Sequence, residues 1–291
     1  MIFSIIVPFL NEQQYLEQCM KSLLNQDFNK NEYELIFIDN GSTDRSKEIV
    51  SKYKEILLLQ ENKPSAYIAR NRGLAIAKGN IIAFTDADCE VKNNWLTNIY
   101  KGMEGNNAMI VLGKRYFSQD KSFSLKMFED WENAKAEVTF ANFDSKYYFS
   151  YTNNMAVRTE VFQKIGFFTE DISLALTGDV EFVQRCVLKY PNVKIMYLED
   201  MKIRHLEIKT AEFWLKKLNQ YGHNNWLVSK KNNYSELGCK ERLQIYIWCI
   251  RKNNYRLIKK IFLALLLTES FLFYKSGKIL SSLKYFFKKK S

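Results

Sequence analysis

The chain has 291 residues, 47 % hydrophobic and 26 % charged, so it is globular and long enough for one large α/β domain plus an extension. Five cysteines (Cys19, Cys89, Cys186, Cys239 and Cys249) are odd in number and lack metal-type spacing, which excludes a disulfide framework and a zinc knuckle and suits a reducing compartment. The net charge of +11 sits almost wholly at one end: residues 241–291 hold twelve Lys or Arg against Glu241 and Glu269, a net +10, which argues for a basic tail and against a nucleic-acid-binding body.

The chain opens on Ile2-Phe3-Ser4-Ile5-Ile6-Val7, with no basic leader or long apolar core, and this reads as a first strand rather than a signal peptide. Strands over Ile2–Val7, Leu35–Ile38, Ile56–Leu59 and Ile81–Phe84 alternate with helical patterns over Gln14–Asn25, Ser42–Lys54 and Ala66–Ala77. Such alternation predicts βαβ units and a parallel sheet. Three of these strands end in polar clusters: Pro8-Phe9-Leu10-Asn11-Glu12, Asp39-Asn40-Gly41-Ser42-Thr43-Asp44, and Asp86-Ala87-Asp88. Each has a local account on its own, such as a turn at Asn40-Gly41 or a helix cap at Ser42. Together they mark one crevice, because ligands of open α/β sheets bind beyond the carboxyl ends of the strands. Two carboxylates there suit a hard divalent cation carrying a phosphorylated ligand. The absence of GxGxxG and Walker sequences disfavours a dinucleotide cofactor and P-loop chemistry.

Further along, Phe123 to Ala141 predicts a helix lying over the sheet. Tyr151 to Arg158 reads as a short strand, and Glu160–Ile165 as a helix ended by Gly166. In Thr177-Gly178-Asp179-Val180-Glu181-Phe182, Asp179 can cap a helix and Glu181 can serve as its first-turn acid. A strand over Lys194–Leu198 leads to Met201-Lys202-Ile203-Arg204-His205. Helical segments follow over Ala211–Lys231, Glu241–Ile250 and Tyr255–Tyr274, and then Tyr285-Phe286-Phe287 before Lys288-Lys289-Lys290. Basic residues interleaved with aromatic and aliphatic ones at helical spacing suit an amphipathic helix on an anionic membrane surface. Packing on the domain or on a second subunit is the other reading. The longest apolar candidate, Ile261 to Tyr274, is too short to span a bilayer and contains Glu269.

Four linked stretches resemble the family-2 glycosyltransferases, inverting enzymes of the GT-A fold. They are Ser4-Ile5-Ile6-Val7-Pro8-Phe9-Leu10-Asn11-Glu12, Ile38-Asp39-Asn40-Gly41-Ser42-Thr43-Asp44, Ala69-Arg70-Asn71-Arg72-Gly73 with Ala77-Lys78-Gly79, and Asp86-Ala87-Asp88. The resemblance covers roughly the first two hundred residues. It implies a GT-A domain over residues 1–208, with a nucleotide-binding half at 1–112 and an acceptor half at 113–208, followed by a basic amphipathic helical tail at 209–291. It also implies that Pro8, Phe9, Asn11 and Glu12 line the nucleotide pocket, and that Asp39 with Asn40 meets the base. Ala69, Arg70 and Asn71 would lie near base, ribose and phosphate. Asp86 and Ala87 would face the ribose or sugar, and Asp88 would hold a metal, Mn²⁺ or Mg²⁺, on the diphosphate. For Arg70, a surface position on a helix face competes with phosphate contact. His205 stands where family members often keep a histidine that joins the metal site, and a hydrogen-bonded structural histidine is equally open.

Asp179 aligns with the family's catalytic base. The residue before it is Gly178, where the family most often carries Glu, and that departure puts the role of the missing Glu in doubt. The implied activity is metal-dependent, inverting transfer from a nucleotide sugar, foremost a UDP-sugar, to a hydroxyl acceptor that can be lipid-linked. The implied setting is cell-surface polysaccharide or glycolipid synthesis, on the cytoplasmic side of the membrane. Two other readings stay open. One is a GT-A scaffold that binds a sugar nucleotide or a membrane partner with little or no turnover, which Gly178 keeps in view. The other is a nucleotidyltransferase, which would release pyrophosphate.

Overall fold

The computed structural model describes residues 1–117, 122–142, 149–171, 177–190, 192–232 and 237–288. Lys289 and Lys290 of the basic terminus, and the side chains of Trp226, Tyr285, Phe286, Phe287 and Lys288, lie outside what is described. The chain divides into two units, Met1–Tyr116 with Phe149–Glu207, and Phe117–Tyr148 with Ile208–Ser291.

The first unit is built on strand β1, Phe3–Phe9. Its odd-numbered residues Phe3, Ile5, Val7 and Phe9 enter one core cluster with Leu16, Cys19, Met20 and Leu23 of helix α1 (Leu16–Leu24). Its even side chains face the opposite side, where Ile6 lies against Gly73 of helix α3 (Ala66–Leu74). A strand covered on both faces is mostly apolar, and Ser4 is the one polar side chain in this run. Strand β2 (Tyr33–Asp39) is followed by helix α2 (Ser46–Ser51) and strand β3 (Ile56–Gln60), and strand β4 (Ile81–Thr85) follows α3. β1 lies between β2 and β4, parallel to both, and β3 lies parallel to β2.

The sheet is parallel-rich rather than wholly parallel. Strands β5 (Cys89–Val91), β6 (Ile110–Tyr116), β7 (Asn154–Arg158) and β8 (Ile195–His205) complete the order β3-β2-β1-β4-β7-β6-β8-β5. β7 is antiparallel to both β4 and β6, β6 is parallel to β8, and β5 is antiparallel to β8. Three consecutive elements, β5, helix α4 (Trp95–Asn106) and β6, have no counterpart in the sequence reading. β5 is three residues long, too short to show a period, and α4 carries Gly102 and Gly105, which break a helical pattern on paper. Asn154 holds this half together. Its amide nitrogen donates to Lys114 O and Met201 O at 3.0 and 2.9 Å, and its oxygen accepts from Trp95 Nε1 at 2.9 Å. Those bonds cross the point where the β6–β8 register shifts between Gly113 and Lys114.

Gly79 sets how closely the motif after α3 approaches β1. A Cβ there would lie 2.4 Å from Ser4 N and 2.5 Å from Phe3 C, so no larger residue fits against that backbone. The Ser4 hydroxyl accepts from Gly79 N at 2.8 Å and donates to Glu34 Oε1 at 2.6 Å.

The second unit gathers helix α5 (Phe123–Asn142) with α8 (Ala211–Asn232), α9 (Cys239–Lys252) and α10 (Leu257–Lys288). Leu125, Phe128, Trp131 and Val138 of α5 share a cluster with Trp214, Ile245, Cys249 and Leu263. Lys252 Nζ pairs with Glu137 Oε2 at 2.8 Å across the same contact. The tail is thus a helical core completed by a helix from the middle of the chain. One face of α10 still remains outside it: Ile258, Leu265, Leu272 and Ile279 are 82, 65, 62 and 58 % exposed. Their seven-residue spacing puts them in one stripe along the helix.

Candidate active site

The ends of β1, β2 and β4 point the same way, because the three strands run parallel. The β1 and β2 ends are clasped together. Asn11, held at φ +57°, accepts at its side-chain oxygen from Thr43 N at 2.8 Å, and its own N–H donates to Ser42 Oγ at 3.1 Å. Glu12 N donates to Ser46 Oγ at 2.8 Å. Asp39 is buried, and its Oδ1 accepts from Ser42 N at 2.8 Å. Asn40 donates to the carbonyls of Glu61 and Lys63 at 2.9 and 2.7 Å and so fixes the segment after β3. Phe9 is buried, its ring 6.4 Å from that of Phe37. Pro8, on the opposite face of the strand, is also buried.

On α3, Ala69 is buried and Arg70 is only 3 % exposed, which overturns the surface alternative for that arginine. The Arg70 guanidinium donates to Asp86 Oδ1 at 2.5 Å and lies 5.2 Å from the centre of the Tyr67 ring. A buried cation held between a carboxylate and an aromatic face is strongly oriented. Asn71 turns the other way. Its amide donates to Phe168 O at 2.9 Å and accepts from Phe168 N at 3.1 Å, pinning the turn after helix α6 (Thr159–Ile165). Asn71 is therefore engaged with the backbone of Phe168, which its motif did not reveal.

Asp86 remains partly exposed, whereas Ala87 and Asp88 are buried. The short strand β5 begins at the next residue and pairs Cys89 with His205. That register sets His205 Nδ1 3.4 Å from Asp88 Oδ2. Ligand atoms of Asp88, Cys89 and His205 all lie within 4.8 Å of one another, among the described residues. A carboxylate oxygen with an imidazole nitrogen fits Mn²⁺, and Mg²⁺ through the oxygen.

Helix α7 (Gly178–Lys189) brings the last carboxylate. Asp179 Oδ1 accepts from Val180 N at 2.8 Å, and the Tyr67 hydroxyl faces the same carboxylate. Burial, opposed by Val180 N–H, by Tyr67 and by Arg70, raises Asp179 from the ordinary 3.8 to about 6. Glu181, its neighbour on the helix, is engaged elsewhere. It pairs with Arg185 at 2.8 and 3.0 Å, and Arg185 also donates to Ile165 O and Phe167 O, both at 2.7 Å. Beneath them Phe162, Phe168 and Phe182 stack with centroids 4.9 to 6.0 Å apart. The sequence reading missed this support. The signal was present as Phe162, Phe167-Phe168 and Phe182, but only the fold brings the rings together.

Residues 4–166, more than half of the chain, match the sequence profile of glycosyl transferase family 2. The chain belongs to that family. Glycosyltransferase AglE of Haloferax volcanii is 28 % identical over 188 residues, 62 % of this chain and 60 % of AglE. The family-2 chain described here spans less than two thirds of the length of the curated relatives that it matches first. Among solved structures, S. aureus TarS 1-349 in complex with UDP-GlcNAc superposes with a TM-score of 0.56 at 21 % identity, covering 96 % of this chain and 90 % of that one. Mannosyltransferase PcManGT from Pyrobaculum calidifontis, in complex with GDP-Man and Mn²⁺, gives 0.59 at 17 % identity, covering 97 and 84 %. These likenesses establish the GT-A fold. This family-2 member carries the Asp86-Ala87-Asp88 triplet just after β4, at the same end of the sheet as the polar clusters that follow β1 and β2.

Proposed function

We propose that the protein is an inverting, metal-dependent glycosyltransferase that moves a sugar from a nucleotide-sugar donor to a hydroxyl acceptor. The observation that carries this reading is the chain of contacts from Asp88 and Asp86 to Asp179. His205 flanks Asp88, Arg70 holds Asp86, and Tyr67, under the Arg70 guanidinium, faces Asp179. Asp88 with His205 would hold the divalent metal, and when bound it offsets the negative charge of the leaving diphosphate. Arg70 orients Asp86 beside that position. Asp39, with one oxygen tied to Ser42, offers its carboxylate edge as the acceptor for a nucleobase.

Asp179 supplies the base. A carboxyl group near pH 6 is ionised at neutral pH yet basic enough to accept a proton as the reaction proceeds. The acceptor oxygen attacks the anomeric carbon, the bond to the diphosphate breaks on the opposite side, and the hydroxyl proton passes to Asp179. Inversion follows from a single in-line displacement. A UDP-sugar is the foremost donor, in keeping with the UDP-GlcNAc complex of TarS.

The setting proposed is the cytoplasmic face of a membrane, during polysaccharide or glycolipid synthesis with an acceptor that can be lipid-linked. No helix of the described residues is long and apolar enough to cross a membrane. The exposed stripe of Ile258, Leu265, Leu272 and Ile279, on a segment with net charge +10, supports peripheral contact with anionic lipid.

The test is product analysis with UDP- and GDP-sugars in Mn²⁺ or Mg²⁺, with and without hydroxyl acceptors. Release of a nucleoside diphosphate supports the reading. Release of pyrophosphate would establish a nucleotidyltransferase, and donor binding without release would establish a non-catalytic scaffold.

A further inference from the structure

Gly178 has a neighbour that explains it. A Cβ at position 178 would lie 2.7, 2.8 and 2.9 Å from Cδ2, Cγ and Cε2 of Tyr67. Real Cβ atoms do not approach a ring that closely, so a side chain at 178 and the present Tyr67 ring exclude each other. The ring has no easy retreat. It is buried, packs 5.4 Å from Phe168, and carries the Arg70 guanidinium at 5.2 Å. Its hydroxyl reaches the helix N-terminus that begins beside Gly178. There it faces the Asp179 carboxylate.

We infer that Tyr67 is the positioning residue for Asp179, and that Gly178 is the residue that admits it. Val180 N–H holds one carboxylate oxygen at 2.8 Å, and on this inference the phenol from the neighbouring helix is the second donor. A carboxylate held by Val180 alone could rotate about its side-chain torsions. The phenol ties its aim to α3, the same helix whose Arg70 holds Asp86. The base and the sugar-facing carboxylate are thereby set from one rigid element, as a reaction sensitive to sub-ångström misplacement requires. The Gly178 departure is on this account an exchange of one site residue for another. It rests on the proposed role of Asp179 as base.

The experiment compares Tyr67→Phe with wild type. Phe keeps the ring against Gly178, Phe168 and Arg70 and removes only the hydroxyl. The charged groups that face Asp179 are Arg70 and Asp86, and both are unchanged. Tyr67→Phe should lower kcat on the order of tenfold, a fraction of what a general base supplies, with the donor KM near its wild-type value. The acid limb of the kcat–pH profile should move up, because the ionised carboxylate loses a donor. The Asp179 titration, followed by carbon-detected NMR of labelled aspartate, should move the same way and needs no turnover. If kcat and that titration both match wild type, the inference is overturned. If wild type itself turns over no sugar nucleotide, the transferase reading fails, and the NMR titration decides the role of Tyr67 alone.

The steric half is tested separately by Gly178→Ala in wild-type and Tyr67→Ala backgrounds. The loss in Tm should be large with the ring present and small without it. Equal losses would show that Gly178 serves the backbone instead of the ring.

Discussion

His205 Nδ1 lies 3.4 Å from Asp88 Oδ2 because the three-residue strand β5 pairs Cys89 with His205 at the edge of the sheet. Neither residue's neighbourhood in sequence contains the other. If both hold a metal on a diphosphate, Asp88→Asn should weaken binding of UDP or GDP far more in Mn²⁺ than in EDTA, by calorimetry. His205→Ala should show the same pattern more weakly. An equal loss in the two conditions would remove Asp88 from the ligand set.

Asp179→Asn should keep donor affinity and lower kcat by roughly two orders of magnitude or more. In wild type the rate should fall as pH drops through about 6, where the carboxylate takes up its proton. Collapse of donor binding in parallel would make Asp179 a helix cap.

The same residue makes a prediction about stability. Its pKa is raised by folding, so its contribution is most favourable below the unfolded value near 3.8 and is lost as pH rises through about 6. Asp179→Asn should therefore raise Tm relative to wild type at pH 8. That gain should shrink as pH is lowered toward 4, as scanning calorimetry can follow. A gain that grows on acidification would falsify the assignment of a desolvated carboxylate.

Gly79→Ala should destabilise the first unit by about 2–3 kcal/mol, the scale of overpacking, since the new methyl meets β1 backbone at 2.4 and 2.5 Å. Urea unfolding measures it. A neutral substitution would mean that the loop after α3 can shift away from Ser4 without cost.

The outer stripe of α10 yields the membrane test. Full-length protein should sediment with vesicles rich in anionic lipid and be released by salt, because exposed charge is screened. Leu265→Glu with Leu272→Glu should abolish sedimentation while leaving UDP binding intact, since both side chains are exposed and outside the helical core. Persistent sedimentation of the double variant would exclude this face. Truncation of the tail is a poorer test, because α5 shares its core with α9 and α10.

Much of the first unit was legible in order along the chain. Mostly apolar runs at β1, β2 and β4 announced strands buried on both faces, and the polar clusters at their ends announced a crevice. The tripeptide Asp86-Ala87-Asp88 and the position of Asp179 could be read because each depends on a local run of residues. What the tertiary structure decided are the relations between distant runs. It carried Arg70 from a possible surface into a buried contact with Asp86, and set the Phe9 ring beside Phe37. It assigned Asn71 to the backbone of Phe168 and Glu181 to Arg185. It packed α5 with the C-terminal helices. It also turned Gly178 from an unexplained departure into the space that Tyr67 occupies. The physical reason is the same in each case. Periodicity and motif record which residues can be buried or charged, whereas a side chain's partner is set by packing between elements that the sequence keeps far apart.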